Sequence, residues 1–296
     1  LIHVNVVGCA LFAAISGSSA ATVATVGKMS IPELRKRNYP EKILLGSLAG
    51  SGTLGLLIPP SIILIIYGVA VQESIAKLFI AGIIPGIMIA LIFMSYVIIW
   101  SLINKKSMPK IIEEYSFFEK IKRSKQLLPV IILILAVIGS IYTGIATATE
   151  AASLGVVGAL ILSYFQKSLT LKTFKSSLLG ATKTSCMIAF ILAGSTFLSL
   201  AMGFTGLPRN LALWIQNMEL SPYVLIFVLM IFYIILGMFL DGISAVVLTM
   251  AIIEPMIRQA GFDMIWFGIF LVIVVEMAQI TPVSYTHLTL PTTPRV

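Results

Sequence analysis

Two stretches rich in glycine and hydroxyl side chains interrupt long apolar runs near opposite ends of this chain. The first is Ala14-Ile-Ser-Gly-Ser-Ser-Ala-Ala-Thr22, and the second is Leu236-Gly-Met-Phe-Leu-Asp-Gly-Ile-Ser244. Roughly forty residues after each stretch, a proline breaks the next apolar run, at Pro59-Pro60 and at Pro282, and such paired interruptions indicate an internal repeat. We interpret each copy as a helical hairpin with a polar tip, followed by a helix broken at membrane depth.

The composition indicates an all-α polytopic membrane protein in contact with the lipid bilayer. Hydrophobic residues make up 58% of the chain and charged residues only 11%, whereas soluble domains carry about 25% charged residues. The net charge of +8 falls in short loops, as membrane topology requires, and therefore does not indicate nucleic-acid binding. Since the first residue is Leu1 rather than methionine, we expect further sequence upstream.

The apolar runs indicate that residues 1–282 form one membrane domain. Its predicted elements are a first hairpin at 1–27, a broken helix at 43–70, spans at 78–103, 127–143, 148–165 and 184–203, a second hairpin at 222–257 and a final broken helix at 264–282. The hairpin arms are shorter than the about 20 residues that a full crossing needs. We therefore expect both hairpins to be re-entrant.

Basic residues predict the orientation of these elements. Three basic loops are predicted at 28–42, 104–126 and 166–183, and two crossings separate each from the next, so all three can lie on the cytoplasmic side. The single span 184–203 then places the following segment outside. The two hairpins therefore open toward opposite sides, and this inverted-topology repeat is typical of secondary transporters that work by alternating access.

The polar tips and proline breaks are the candidate functional features. Hydroxyl groups and unwound backbone carbonyls offer the oxygen ligands that hard cations prefer, and exposed helix N-termini favour anions. The alternative is that the small residues only permit close helix packing.

Two acidic residues inside apolar sequence have alternative roles, and a third is expected at the start of a helix. Asp241 is either a functional charge within the membrane or the N-cap of the second hairpin arm, and we favour the cap, with any ligand bound by the tip backbone. Glu276 either pairs with a base or lines a cavity. Thr149 is predicted to cap the helix that begins near Ala151, with Glu150 in its first turn.

Five motifs together resemble the large membrane subunit of tripartite ATP-independent periplasmic (TRAP) transporters, within the ion-transporter superfamily. They are Ile15-Ser-Gly-Ser-Ser-Ala-Ala21, Gly52-Thr-Leu-Gly-Leu-Leu-Ile-Pro-Pro-Ser61 with Tyr67-Gly68, Thr147-Ala-Thr-Glu-Ala-Ala152, Gly237-Met-Phe-Leu-Asp-Gly242 and Ile280-Thr-Pro282. This chain departs from the family at Ala148, where the family usually has proline.

The resemblance implies an elevator-type symporter in the bacterial inner membrane, which couples Na⁺ to the import of organic acids such as C4-dicarboxylates or sugar acids. It also implies two partners, a small membrane subunit and a periplasmic substrate-binding protein, and no cofactor besides the coupling ion. By match, the Na⁺ ligands fall on Ser16, Ser18, Ser19, Gly55, Ile58, Pro60, Gly237 and Thr281. The substrate is expected between the tips, at Gly17, Ser61, Asp241 and Gly242.

After Pro282 the sequence no longer resembles the family, so residues 283–296 are predicted to be a non-native tail. The second cation site would then be cut within its motif. An enzyme is not expected, because the sequence has no nucleophile–base pair or metal-ligand cluster. Two other classes stay open: a non-transporting assembly subunit, and a channel, which would need a continuous pore lined by polar groups.

Overall fold

Every regular element is helical in the part of the chain that the computed structural model describes, which comprises residues 2–105, 108–109, 128–206, 210, 213 and 221–280. Four of these helices are long and apolar enough to cross a membrane, and four shorter helices are also apolar. The predicted class, an all-α polytopic membrane protein, is confirmed.

The first hairpin consists of α1 (His3–Ser16) and α2 (Ser19–Lys36), which pack along each other. Gly17 ends α1 in the left-handed conformation, with φ of 57°, which glycine adopts without steric cost. The predicted end of this hairpin at residue 27 is wrong, since α2 continues to Lys36. The helix continues because its buried positions go on recurring at helical spacing, at Gly27, Ser30 and Leu34, while the basic residues occupy its outer face.

The first broken helix consists of α3 (Glu41–Gly52), a 3₁₀ turn (Thr53–Leu56), a non-helical link and α4 (Ile62–Ala70). The link contains Pro59 and Pro60, joined by a cis peptide bond. Proline lacks an N–H group and its ring clashes with the preceding turn, so the helix cannot continue through this point. Ser61 starts α4 again by accepting a hydrogen bond from the Leu64 N–H at 3.5 Å.

Four helices follow: α5 (Ile75–Ile103), α6 (Leu128–Tyr142), α7 (Ala148–Phe165) and α8 (Leu171–Thr205). The loop predicted at 166–183 is wrong over most of its length, because α8 already begins at Leu171. A capping box starts this helix: Thr170 and Thr173 each accept the backbone N–H of the other, at 3.1 and 2.8 Å. Three of the four lysines of this segment, Lys172, Lys175 and Lys183, therefore lie on the exposed first turns of a helix, and only Lys167 precedes it.

The second hairpin consists of α9 (Pro222–Gly237) and α10 (Gly242–Gln259), and it is followed by α11 (Met264–Ile280). The main core lies where α4, α5, α9, α10 and α11 pack together. There the hydroxyl of Tyr67 donates to the Met264 carbonyl at 2.6 Å, and its ring occupies the space above Gly268. The predicted break at Pro282 lies outside the described residues.

The N-cap of α7 is Thr147 and not Thr149. The Thr147 hydroxyl accepts the Glu150 N–H at 3.3 Å, and the Glu150 carboxylate accepts the Thr147 N–H at 2.8 Å. This reciprocal pair is a capping box, formed here by a threonine three residues before a glutamate. Only Thr147 has that spacing, so the prediction of Thr149 as the cap is wrong.

We expect Thr147→Ala to destabilise the protein by about 1 kcal/mol, because the substitution leaves the first turn of α7 without its cap. Thr149→Ala is the matched control and is expected to have a much smaller effect. Thermal unfolding of the two purified variants in detergent measures the difference. Equal destabilisation by both variants would contradict the assignment of the cap.

Candidate functional site

The tip of the first hairpin lies directly against the break between α3 and α4. A Cβ atom on Gly17 would lie 2.9 Å from the carbonyl oxygen of Pro60, which is closer than van der Waals contact permits. The Gly17 carbonyl accepts a hydrogen bond from the N–H of Ile62 at 3.4 Å. The tip and the broken helix are therefore joined through their backbones.

The 3₁₀ turn brings a second glycine to the same tip. A Cβ atom on Gly55 would lie 2.9 Å from the carbonyl carbon of Ser18 and 3.0 Å from its carbonyl oxygen. Inside the tip, the Ser16 and Thr22 hydroxyls are 2.8 Å apart, and Thr22 donates to the Ser18 carbonyl at 2.8 Å. The structure thus brings together five of the predicted cation ligands, namely Ser16, Ser18, Ser19, Gly55 and Pro60.

The second tip is organised by Asp241, which is the N-cap of α10. Its carboxylate accepts the N–H groups of Ile243 and Ser244 at 3.1 and 3.2 Å, and the Ser244 hydroxyl at 2.5 Å. The favoured interpretation of Asp241 as a cap is therefore confirmed. Any ligand-binding role of its charge stays a prediction.

Two glycines place the second tip against α11 and α4. A Cβ atom on Gly242 would lie 2.7 Å from a methyl group of Val275 and 3.2 Å from Ile63. A Cβ atom on Gly237, at the end of α9, would lie 2.5 Å from that of Ala278. Since the first tip also contacts α4 at Ile62, both tips meet at the start of that helix.

Gln279, which the sequence analysis did not single out, connects the two halves of the site. Its side-chain oxygen accepts a hydrogen bond from the Ser19 hydroxyl at 3.3 Å. Its side-chain nitrogen lies 3.0 Å from the position that a Cβ atom on Gly242 would occupy. The available signal was a polar amide in the last turn of an otherwise apolar helix, just before the motif Ile280-Thr-Pro282.

Not every predicted site residue offers its side chain to a ligand. Ser61 is fully buried, and its hydroxyl donates to the Leu56 carbonyl within the break. The Ile58 side chain packs toward Gly86 of α5. Only the backbone of Ile58 could therefore serve as a ligand. Thr281 lies outside the described residues.

Glu276 is buried in α11, with 3% of its surface exposed. Within the described residues it forms no ion pair, and its Oε1 atom has no hydrogen-bond partner there. The pairing with a base that the sequence left open is therefore not found in the described part of the chain.

The ends of three helices contribute partial charge to the site. Three helices, α2, α4 and α10, begin at the two tips and the break, at Ser18, Ser61 and Asp241. Helix N-termini carry partial positive charge. The carbonyl groups of the break and the hydroxyl groups of the first tip supply oxygen atoms beside them. The arrangement can therefore hold an anion and a hard cation close together.

A multi-pass helical protein with two hairpin tips at a broken helix has the organisation of a membrane transporter. Residues 1–287 match the family described as the DctM component of the tripartite ATP-independent periplasmic transporters. The chain belongs to this family. Because the family comprises permeases, the prediction that the chain is not an enzyme is confirmed.

The chain is similar to several permeases from other organisms. It is 34% identical over 279 residues to the C4-dicarboxylate TRAP transporter large permease protein DctM of Pseudomonas aeruginosa, covering 94% of this chain and 64% of that protein. For the protein of the same name from Rhodobacter capsulatus, identity is 33% over 293 residues, covering 94% and 66%. For the isethionate TRAP transporter permease protein DctMQ of Oleidesulfovibrio alaskensis, identity is 31% over 278 residues, covering 93% and 43%. The chain thus spans at most about two thirds of these relatives.

We expect Gly55→Ala to destabilise the protein by about 1–3 kcal/mol, because the added methyl group overpacks the contact with Ser18. The matched control is Gly46→Ala in α3, where a Cβ atom would have no neighbour within 4 Å. That substitution should stabilise the helix by about 0.5–1 kcal/mol. The two variants should therefore shift the thermal unfolding temperature in opposite directions, and a shift of the same sign would contradict the described contact.

Asp241→Asn should retain the stability of the protein, because the amide oxygen still caps α10. Asp241→Ala removes the acceptor and should cost about 1 kcal/mol. Thermal unfolding measures both effects. Strong destabilisation by the asparagine variant would show that the charge at this position, and not the cap, stabilises the second tip.

Proposed function

We propose that this chain forms the transport core of a secondary importer that couples Na⁺ to the uptake of organic acids. The observation that carries the proposal is the meeting of two hairpin tips at one broken helix, where glycines let the backbones approach. Broken helices of this kind are where secondary transporters bind substrate and coupling ion.

The residues at the first tip suit a Na⁺ ion. Their available ligands are neutral oxygens from hydroxyl and carbonyl groups, which a hard monovalent cation prefers over nitrogen or sulfur ligands. The close approach at Gly55 and Gly17 leaves room for backbone oxygens that any side chain at these positions would displace. Gly237 and Thr281 are proposed to serve a second ion at the second tip.

An anionic substrate fits the charge of the same region. The N-termini of α2 and α4 concentrate partial positive charge beside Gly17 and Ser61, whereas the Asp241 carboxylate already accepts N–H groups at the start of α10. The similar permeases are named for C4-dicarboxylates and for isethionate, and these compounds are organic anions. We therefore propose an organic acid of the C4-dicarboxylate or sugar-acid class as the substrate.

The proposed cycle is alternating access with an elevator movement of the hairpin-bearing unit. A periplasmic binding protein would deliver the substrate, and a small membrane subunit would complete the transporter in the bacterial inner membrane. The family description supports the first partner, and the name DctMQ of the isethionate relative supports the second.

The membership of a permease family favours this proposal over a non-transporting assembly subunit. The packed tips also disfavour a channel, because Gly17 of the first tip and Gly242 of the second both lie close to the start of α4. A carrier saturates with substrate and requires its binding protein, whereas a channel does neither.

Reconstituted uptake tests the proposal. The full-length permease, its small subunit and its binding protein are placed in liposomes, and labelled C4-dicarboxylate and sugar-acid uptake are measured with an inward Na⁺ or K⁺ gradient. We expect saturable uptake of one class that requires Na⁺. Uptake that is equal in K⁺, or that does not saturate, would contradict the proposal.

Ser18→Leu should reduce Na⁺-driven uptake at least about tenfold, because it removes the N-cap of α2 and places a bulky group beside Gly55. Ser153→Leu makes the same change on an exposed face of α7 and should retain uptake. Membrane insertion of both variants is checked by protease protection. Normal uptake by the Ser18 variant would remove this tip from the cation site.

A further inference from the structure

A groove of about 460 Å³ runs between α5 and α11, and the residues that line it belong to neither hairpin tip. On α5 its wall consists of Ala81, Pro85 and Met88, which lie on one side of the helix at spacings of four and three residues. The volume is typical of a site for a small molecule. Because the lining is almost entirely apolar, the groove favours hydrocarbon over water.

A stack of aromatic rings forms part of the wall on α11. The ring centroids of Phe262 and Trp266 are 5.3 Å apart and those of Trp266 and Phe270 are 5.6 Å apart, with interplanar angles of 15° and 8°. Trp266 and Phe270 both line the groove. Parallel rings present a flat apolar surface. Such a surface suits an extended hydrocarbon chain better than a second helix, whose side chains pack as ridges into grooves.

The length of the groove corresponds to one leaflet of the bilayer. Along α11 it extends from Asp263, directly before the first helical residue, to Ile273, which is about 15 Å of helix. The hydrocarbon core of a bilayer is about 30 Å thick, so the groove spans half of it. A transmembrane helix of a partner protein would need a contact surface across both leaflets, whereas a lipid acyl chain occupies only one.

Two exposed residues of opposite charge lie toward the end of the groove where α5 and α11 begin. Asp263 lines the groove itself, and Lys77 lies four residues before Ala81, on the same side of α5. The starts of the two helices are close together, because the Arg258 side chain at the end of α10 donates to the Val71 carbonyl at 3.1 Å. Among the described residues, neither Lys77 nor Asp263 forms an ion pair.

We propose that this groove binds phosphatidylethanolamine from the surrounding bilayer, with one acyl chain between α5 and α11 and the headgroup at Asp263 and Lys77. The ammonium group of this lipid donates charge-assisted hydrogen bonds to the Asp263 carboxylate, and its phosphate is attracted to Lys77. Phosphatidylcholine has a fully methylated ammonium group without N–H donors, and phosphatidylglycerol offers no cation to Asp263. The inference does not depend on the proposed Na⁺ and substrate sites.

Fluorescence quenching of Trp266 by brominated lipids measures the occupancy of the groove. Trp266 is 47% exposed, and bromine atoms on an acyl chain quench tryptophan only at close range. Every other tryptophan of the full-length permease, including Trp100 and Trp214, is changed to phenylalanine, and the protein is reconstituted in phosphatidylcholine liposomes. Rising fractions of that lipid are then replaced by one of three lipids with brominated chains: phosphatidylethanolamine, phosphatidylcholine or phosphatidylglycerol.

We expect half-maximal quenching at a mole fraction about threefold lower for phosphatidylethanolamine than for the other two lipids, as an exposed ion pair provides. Asp263→Asn should abolish this preference, because the amide has no charge. It still caps α11, where Asp263 accepts the Trp266 N–H at 2.8 Å. Asp241→Asn is the matched control, since it makes the same change at the N-cap of α10, and it should retain the preference.

A second pair of variants tests the groove itself. Ala81→Phe places a ring between α5 and α11 and should reduce quenching by phosphatidylethanolamine at least about twofold. Ala189→Phe makes the same change on an exposed face of α8 and should leave the quenching unchanged. Ala81→Leu fills less of the groove and takes the place of Ala81→Phe if the phenylalanine variant does not fold.

Three results would overturn the proposal. Equal half-maximal fractions for the three lipids would show that the groove holds bilayer lipid without selecting a headgroup. A preference for phosphatidylethanolamine that persists in Asp263→Asn, or phosphatidylglycerol quenching as strongly, would remove Asp263 as the ligand of the ammonium group. Unchanged quenching in the Ala81 variant would place the lipid outside the groove.

Discussion

The hydrogen bond from the Ile62 N–H to the Gly17 carbonyl is the interaction on which the rest of the site depends. A helix broken inside a bilayer exposes backbone groups that lipid cannot satisfy, so protein must satisfy them. Here part of that requirement is met locally, because the Ile58 N–H donates to Leu54 and the Ser61 hydroxyl donates to Leu56. The first hairpin tip then satisfies the N–H group at the start of α4. The tip therefore helps to stabilise the break by pairing a backbone group that lipid would leave unpaired.

This constraint explains why the glycines of the site are not interchangeable with alanine. At Gly17 the backbone of the break approaches closely, and at Gly55 the backbone of the first tip does so. On the other side, Gly237 and Gly242 allow α11 to approach. Their role is to let main-chain atoms approach. Oxygens of the backbone and of serine then become the available ligands, and no buried charged group is needed to provide them.

The sequence predicted where the helix break and the hairpin tips lie better than it predicted where the helices begin and end. Proline chemistry located the break at Pro59 and Pro60, and small polar residues located both tips. Charge predicted the helix boundaries less well. The lysines led us to predict a loop over Leu171–Lys183, although the capping box of Thr170 begins a helix there. The contact between Ser19 and Gln279 was not predictable, since it joins residues far apart in sequence through a tertiary approach that local patterns do not encode.

Cross-linking between the first tip and α11 tests the central claim that the two ends of the chain meet at one site. Cysteines would replace Ser19 and Gln279 in a protein whose own Cys9 and Cys186 have been changed to serine, with a protease site introduced between residues 105 and 128. A short bifunctional methanethiosulfonate reagent is then added to native membranes, and the chain is cut. The account predicts that the two fragments stay linked, while a control pair at Ser153 and Gln279 separates. Separation of the Ser19 and Gln279 fragments as well would contradict the account.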